Sequence, residues 1–173
     1  SSEGSSGFYV RGGGPDQNLI LLDGVPVYNA SHIGGLFSVF NADAIKNVRL
    51  TKGGFPARFG GRLSSVLDVY QKDGNNQNFS FNGGIGAISS RFLAEGPIQK
   101  NKSSFLVASR GTYAHLFLKL TDIENIAYFY DLNTKSNFVI DKKNKIYLSG
   151  YFGRDLFKLD GTFSNTYGNS TLN

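Results

Sequence analysis

The chain has 173 residues, a formal net charge of +5, and no Cys, Met or Trp. Without Cys there are no disulfides, no thiol catalysis and no Cys-based zinc site, although that absence does not identify a compartment. The positive charge is spread out, with no basic run longer than Lys142-Lys143, so nucleic-acid binding is not expected. The length fits one ordinary domain or two small ones. With 22 Gly, 15 Phe and 9 Tyr, the composition points to β structure with many turns. No stretch approaches the ~20 apolar residues of a membrane helix, and no signal peptide is expected within residues 1–173. Membrane barrels carry a much weaker signal and are not excluded by this. The chain starts at Ser1 without Met and stops inside what reads as a strand, so a piece of a longer protein is expected.

Residues 1–7 (SSEGSSG) are flexible by composition. Residues 8–11 form a short extended run closed by Gly12-Gly13-Gly14-Pro15. The triple glycine is a turn rather than a phosphate loop, because no Gly-Lys-Ser/Thr follows it. Asn18 to Leu22 is an apolar run ending at Asp23-Gly24, a strong hairpin signal, and residues 25–28 give the returning strand. Residues 29–35 (NASHIGG) read as a polar loop, and a lone loop histidine such as His32 reads as a surface residue. Asn41 can cap a short helix across residues 42–46, with Asp43 well placed in its first turn. Strand returns at residues 48–51.

Residues 52–70 (KGGFPARFGGRLSSVLDVY) are the hinge of the sequence, a tight glycine-bracketed loop carrying Arg58 and Arg62 that runs into a β-branched strand. Four or five short strands and one or two short helices are therefore expected over residues 8–72, a small mixed α/β unit with little apolar content of its own.

From Gln77 the pattern changes to long period-two alternation. Tyr128, Tyr130, Leu132, Thr134, Ser136, Phe138 and Ile140 share one row, opposite Phe129, Asp131, Asn133, Lys135, Asn137, Val139 and Asp141. Ile146, Leu148, Gly150 and Phe152 alternate in the same way with Tyr147, Ser149, Tyr151 and Gly153. Such runs exceed the usual soluble strand and match the ~9–11 residues that a tilted strand needs to cross a bilayer. Residues 99–102 and 142–145 read as tight turns, whereas 113–127 and 155–171 read as long loops. That asymmetry belongs to outer-membrane barrels. A soluble β-sandwich or carbohydrate-binding β domain also alternates, but explains strand length less well.

Three pieces carry a resemblance: VRGGGPDQNLILLDGVPVYN at 10–29, FNADAIKNVRLTKGGFPARFGGRLSSVLDV at 40–69, and Lys72-Asp73-Gly74. They are similar to the plug domain of TonB-dependent outer-membrane receptors in the form common among Bacteroidetes, with Phe59-Gly60 where Tyr-Gly is usual. GGIGAISSRFLAEGPI at 83–98 and YLSGYFGRDLF at 147–157 resemble the first strands of the same family's barrel. The resemblance implies residues 1–74 as the C-terminal part of a plug of mixed α/β structure. It implies residues 75–173 as the first five or six antiparallel strands of a 22-stranded transmembrane β-barrel.

The function so implied is active transport of a nutrient (a chelate, oligosaccharide or peptide) across the outer membrane, gated by the plug, with no enzyme activity and no cofactor. Its partners would be TonB, with ExbB and ExbD, in the periplasm, and outer-membrane lipid. Starch-utilisation-type members add a surface lipoprotein, but their signature differs from GGGPDQN. The alternative is a structural or accessory barrel of a secretion or surface-assembly complex.

By the superfamily's geometry, Tyr28, Asn29, Ser31 and His32 are the candidate ligand contacts at the plug apex. Arg11, Arg58 and Arg62 sit beside glycines and suit bidentate contact with carboxylates, for which Glu95 and Asp131 are candidates on the barrel wall. A latch of Arg58 or Arg62 with such a carboxylate is expected to hold the plug shut. No spacing suggests catalysis or a metal site: His32 and His115 are far apart and the carboxylates are scattered.

Overall fold

The structure, a computed structural model, describes residues 9–28, 30–33, 37–56, 58–113, 126–159 and 163–173. Six short strands come first: β1 (Asn18–Leu22), β2 (Val25–Pro26), β3 (Ser31–His32), β4 (Phe37–Ser38), β5 (Ile45–Thr51) and β6 (Ser65–Gln71). Six more follow, all but the first of them longer: β7 (Ser80–Ile85), β8 (Ser89–Gln99), β9 (Ser103–Thr112), β10 (Ile126–Val139), β11 (Lys145–Leu159) and β12 (Phe163–Leu172).

The first unit is a mixed sheet of order β2-β1-β6-β5, with β3 and β4 paired separately. Asp23 and Gly24 take the left-handed backbone (φ 49° and 87°) that a two-residue hairpin loop needs, bringing Leu22 opposite Val25. β1 lies parallel to β6 and β5 antiparallel to it, so β6 is central. β6 is correspondingly the most buried strand of this sheet, and Leu22, Val27, Val39 and Val69 form a thin core.

Three expectations for this unit are corrected. In place of a helix over 42–46 there is one 3-10 turn, Ala42–Ala44, capped by the Asn41 side chain accepting from the Asp43 amide at 3.1 Å. Ile45 has already joined β5 opposite Gln71, where its branched side chain packs on the core. Residues 8–11 do not make a strand within the described part: Val10 forms an isolated bridge to Gly13, and Arg11 turns the chain at φ 51°. The polar loop at 29–35 contains β3, which pairs with β4 through Ser31 opposite Ser38.

The second unit is a six-stranded antiparallel meander, β7 to β12 in sequence order. β10 and β11 run for 14 and 15 residues, and residues 100–102 and 140–144 make the expected tight turns. The long loop expected at 155–171 is corrected: β11 continues to Leu159 and β12 starts at Phe163, with Asp155 opposite Tyr167. Residues 163–172 (FSNTYGNSTL) are polar on both alternating rows, which gives a paired strand the composition of a loop. Residues 86–88 are also a short turn, so among the described connections the difference between the two ends of the sheet is smaller than expected. Most of the 113–127 segment lies outside the described residues.

The sheet is inverted relative to a water-soluble one. Tyr130, Leu132, Phe138, Ile146, Leu148, Phe152, Phe92 and Phe81 are exposed on one face. The opposite face carries Asp131, Asn133, Lys135, Asn137, Ser149 and Asp155, all buried beneath the first unit. Ordinarily the apolar row of a half-covered sheet faces the covering layer. The chain passes from one unit to the other at Gly74, whose φ of 80° and contact with the β9 backbone leave no room for a side chain.

Candidate functional site

The chemistry of the molecule is concentrated where the first unit meets the inner face of the long sheet. Little of that contact is apolar. Tyr151 of β11 joins the core around Val69, and Ala44 packs against Leu93, Leu106 and Ala108. Most of the rest, among the described residues, is polar and is concentrated in two clusters.

At one end, β3 delivers His32 to β10 and β11. Its Nδ1 is 2.7 Å from Asp155 Oδ2, and its Nε2 is 3.2 Å from both Asp131 Oδ2 and the Tyr151 hydroxyl. The imidazole stacks on Phe129 with ring centres 4.2 Å apart and planes 7° apart. Asp155 also accepts the Ile33 amide at 2.8 Å. Arg110 of β9 donates from Nε to Asp131 at 2.6 Å and from its terminal nitrogen to the Ser38 carbonyl. Burial alone would lower the pKa of His32, but the hydrogen bonds and charges of Asp131 and Asp155 outweigh it and raise it above 6.5. Although a histidine and two aspartates converge, among the described residues no set of three or more ligating side chains is arranged to hold a metal ion.

Toward the turns at 100–102 and 140–144, Lys135 of β10 reaches into the first unit. Its ammonium donates to the Gln71 carbonyl at 3.0 Å and to Asp23 at 3.2 Å, and lies 3.4 Å from Asp73. Asn137 and Ser104 both donate to the Asp73 carbonyl, at 2.8 and 2.5 Å. Arg91 of β8 meets Asp43 at 3.3 Å nearer the surface.

The residues singled out in the sequence are divided by this arrangement. Tyr28 is 83% exposed, Ser31 half-buried, and Asn29 lies outside the described residues. His32 is 1% exposed, so the expected surface histidine is instead a buried contact. Asp131 faces inward as expected, but meets His32 and Arg110 rather than a loop arginine. Arg58 lies over the Phe59 ring at 4.6 Å, Arg62 donates to the Gly61 carbonyl at 2.8 Å, and Arg11 lies beside Gly53. Glu95 is half-buried on the inner row, opposite Ser80 and Leu106. Sequence reasoning passed over Asp155, Arg110, Lys135, Asp23 and Asp73. For Lys135 the signal was present, since it stands on the same polar row as Asp131. Asp155 was read as loop, and Asp23 as a turn residue only.

A small mixed domain tied by polar contacts to the polar face of an outwardly apolar sheet defines a plugged β-wall. Residues 1–66 match the family model described as TonB-dependent Receptor Plug Domain. This segment is a plug domain of TonB-dependent receptors, a family of transporters rather than enzymes, found in general in the outer membrane and working with TonB. Among curated proteins, no relative matches the chain.

Proposed function

We propose that residues 1–74 and 75–173 are the plug and first six wall strands of a 22-stranded, Bacteroidetes-type outer-membrane transporter that takes up a nutrient under TonB control. The observation that carries this reading is the inverted sheet. Its exposed apolar row suits lipid, and its buried polar row suits a lumen filled by the plug. Strands β8 to β12, at 10 to 15 residues, are long enough to cross a bilayer when tilted.

In this mechanism a chelate, oligosaccharide or peptide arrives from outside and touches the apex around Tyr28, Asn29 and Ser31. A hollow of about 340 Å³ lies beside that region, bounded by Phe37, Phe129, Arg91 and Arg110. TonB, energised by ExbB and ExbD, pulls on the plug from the periplasm and parts it from the wall. The latch runs through His32 and Lys135, with Asp131 as one of its wall carboxylates. A surface lipoprotein is not required.

The test is the full-length protein in detergent, with and without boiling before electrophoresis. A closed hydrogen-bonded barrel resists unfolding and migrates anomalously until heated. A heat-dependent shift, together with uptake lost on deletion of TonB, is the expected result. Solubility without detergent and unchanged migration would overturn the barrel.

A further inference from the structure

The groups around the apex histidine form a charge-balanced set. From β10 comes Asp131, from β11 Asp155 and the Tyr151 hydroxyl, and from β9 Arg110, bound to Asp131. β4 contributes the Phe37 ring against Phe129 and the Ser38 carbonyl, neither of them charged. With His32 protonated, two carboxylates face two cations. With His32 neutral, one negative charge is left over in a site where both aspartates are at most 2% exposed. An uncompensated buried charge is strongly unfavourable, so the arrangement requires the proton.

Two further features tie the plug backbone to that charge. Asp155 takes the Ile33 amide as well as the imidazole, and Ile33 sits at φ 50°, a left-handed conformation that a β-branched residue keeps only when it is held. The wall also leaves space for the ring. A side chain at Gly153 would press on the Tyr151 hydroxyl and come within 3.1 Å of His32 Cε1.

We propose that His32 is a proton-dependent clasp: its imidazolium, held between Asp131 and Asp155, ties the plug apex to the wall, and loss of the proton lets the apex go. The clasp deepens the transport reading and rests on it in taking the long sheet as the barrel wall. The sign follows from linkage. Because the seated histidine has a raised pKa, protonation favours the closed state fully below the ordinary value of 6.5. That preference is lost as pH climbs through the raised value.

The chain has no Cys, so a single introduced thiol can report opening. Val39→Cys places it in the plug core at a position 1% exposed. Maleimide labelling of the full-length protein in detergent, cleared of any other cysteine, is normalised to Tyr28→Cys, an exposed thiol that corrects for thiol ionisation. The normalised rate should rise about tenfold from about pH 6 to about pH 9. Adding His32→Gln should make it fast and independent of pH. Asp155→Asn keeps the imidazole but removes one carboxylate, and should move the rise to lower pH.

A flat parental profile, or a rise that survives His32→Gln, overturns the clasp. Heat-modifiable migration of the same samples reads the wall separately. An intact shift with a flat profile removes the clasp alone, whereas a parent with no shift removes the barrel.

Discussion

Lys135→Ala should detach the lower half of the plug. The ammonium and its first carboxylate, Asp23, are 9% and 8% exposed, so the pair is shielded from water. Among the described residues Asp23 Oδ2 has no hydrogen-bond partner, and Oδ1 would keep the Gln71 amide at 3.0 Å as its one donor there once the lysine is gone. The Gln71 carbonyl would lose its 3.0 Å bond from the same ammonium. Breaking a buried pair from one side costs about 3–5 kcal/mol. Asp73 is 29% exposed and can be rehydrated, which favours the low end of that range. A loss of about 3 kcal/mol multiplies the detached population roughly a hundredfold.

The reporter is Val69→Cys, 1% exposed in the core that Tyr151 closes from the wall, read by maleimide labelling of the full-length protein. Arg91→Ala is the control. Arg91 is 56% exposed where it meets Asp43, and such surface pairs contribute less than about 1 kcal/mol, or about fivefold. If Lys135→Ala labels no faster than Arg91→Ala, the plug is not held by this lysine and the reasoning from burial fails.

Three further outcomes follow from the same geometry. Gly153→Ala should cost about 1–3 kcal/mol by overpacking Tyr151 and His32, seen as faster Val39→Cys labelling at low pH with the heat-modifiable shift retained. Leu132→Arg, on the exposed apolar row of β10, should destabilise the inserted state by about 2–4 kcal/mol and so lower the yield of heat-modifiable protein refolded into lipid vesicles; an unchanged yield would place that row away from lipid. Arg58→Ala with Arg62→Ala should leave leakage of a large antibiotic close to that of the parent, since these side chains rest on Phe59 and the Gly61 carbonyl. Leakage that rises as much as for Lys135→Ala would restore the loop arginines as the latch.

What the sequence disclosed depended on whether the deciding contacts were local. The Asp23-Gly24 hairpin was legible because two adjacent residues fix it. The alternation of β10 was legible because neighbours on one strand define both faces. The helix proposed after Asn41 was not a helix, because capping and first-turn charge are local signals and the pairing of Ile45 with Gln71, far along the chain, overrides them. β12 was hidden because neither of its rows is apolar. His32 was misjudged for a related reason: its partners Asp131, Tyr151 and Asp155 are about a hundred residues or more away on other strands, and a lone histidine carries no mark of them. Of the candidate site, Asp131 could be placed on the inner face from parity alone. Which cation it meets is a property of how the plug sits against the wall.

The polarity of the interface bears on how such a plug could be moved. A domain packed on a wall through apolar side chains would lose about 25 cal/mol for every Å² exposed on separation, a cost that water cannot repay. Here, among the described residues, the apolar contact comes from Tyr151, the small cluster around Ala44 and the rings of Phe37 and Phe129, while Lys135, Asn137, Ser104, His32 and Asp155 carry most of the rest. Hydrogen bonds exchange with water at a net cost of only about 0.5–1.5 kcal/mol each once water can enter. The interface therefore resists while dry and weakens as it is wetted, so a pull that breaks one cluster eases the parting of the other. The two clusters differ in what starts that process. Lys135, tied to Asp23, Asp73 and the Gln71 carbonyl, is the cluster on which a pull must act. In the proposed clasp His32 can also yield to the loss of its proton, which makes the apex the end of the plug that a rise in pH outside can loosen before any force is applied.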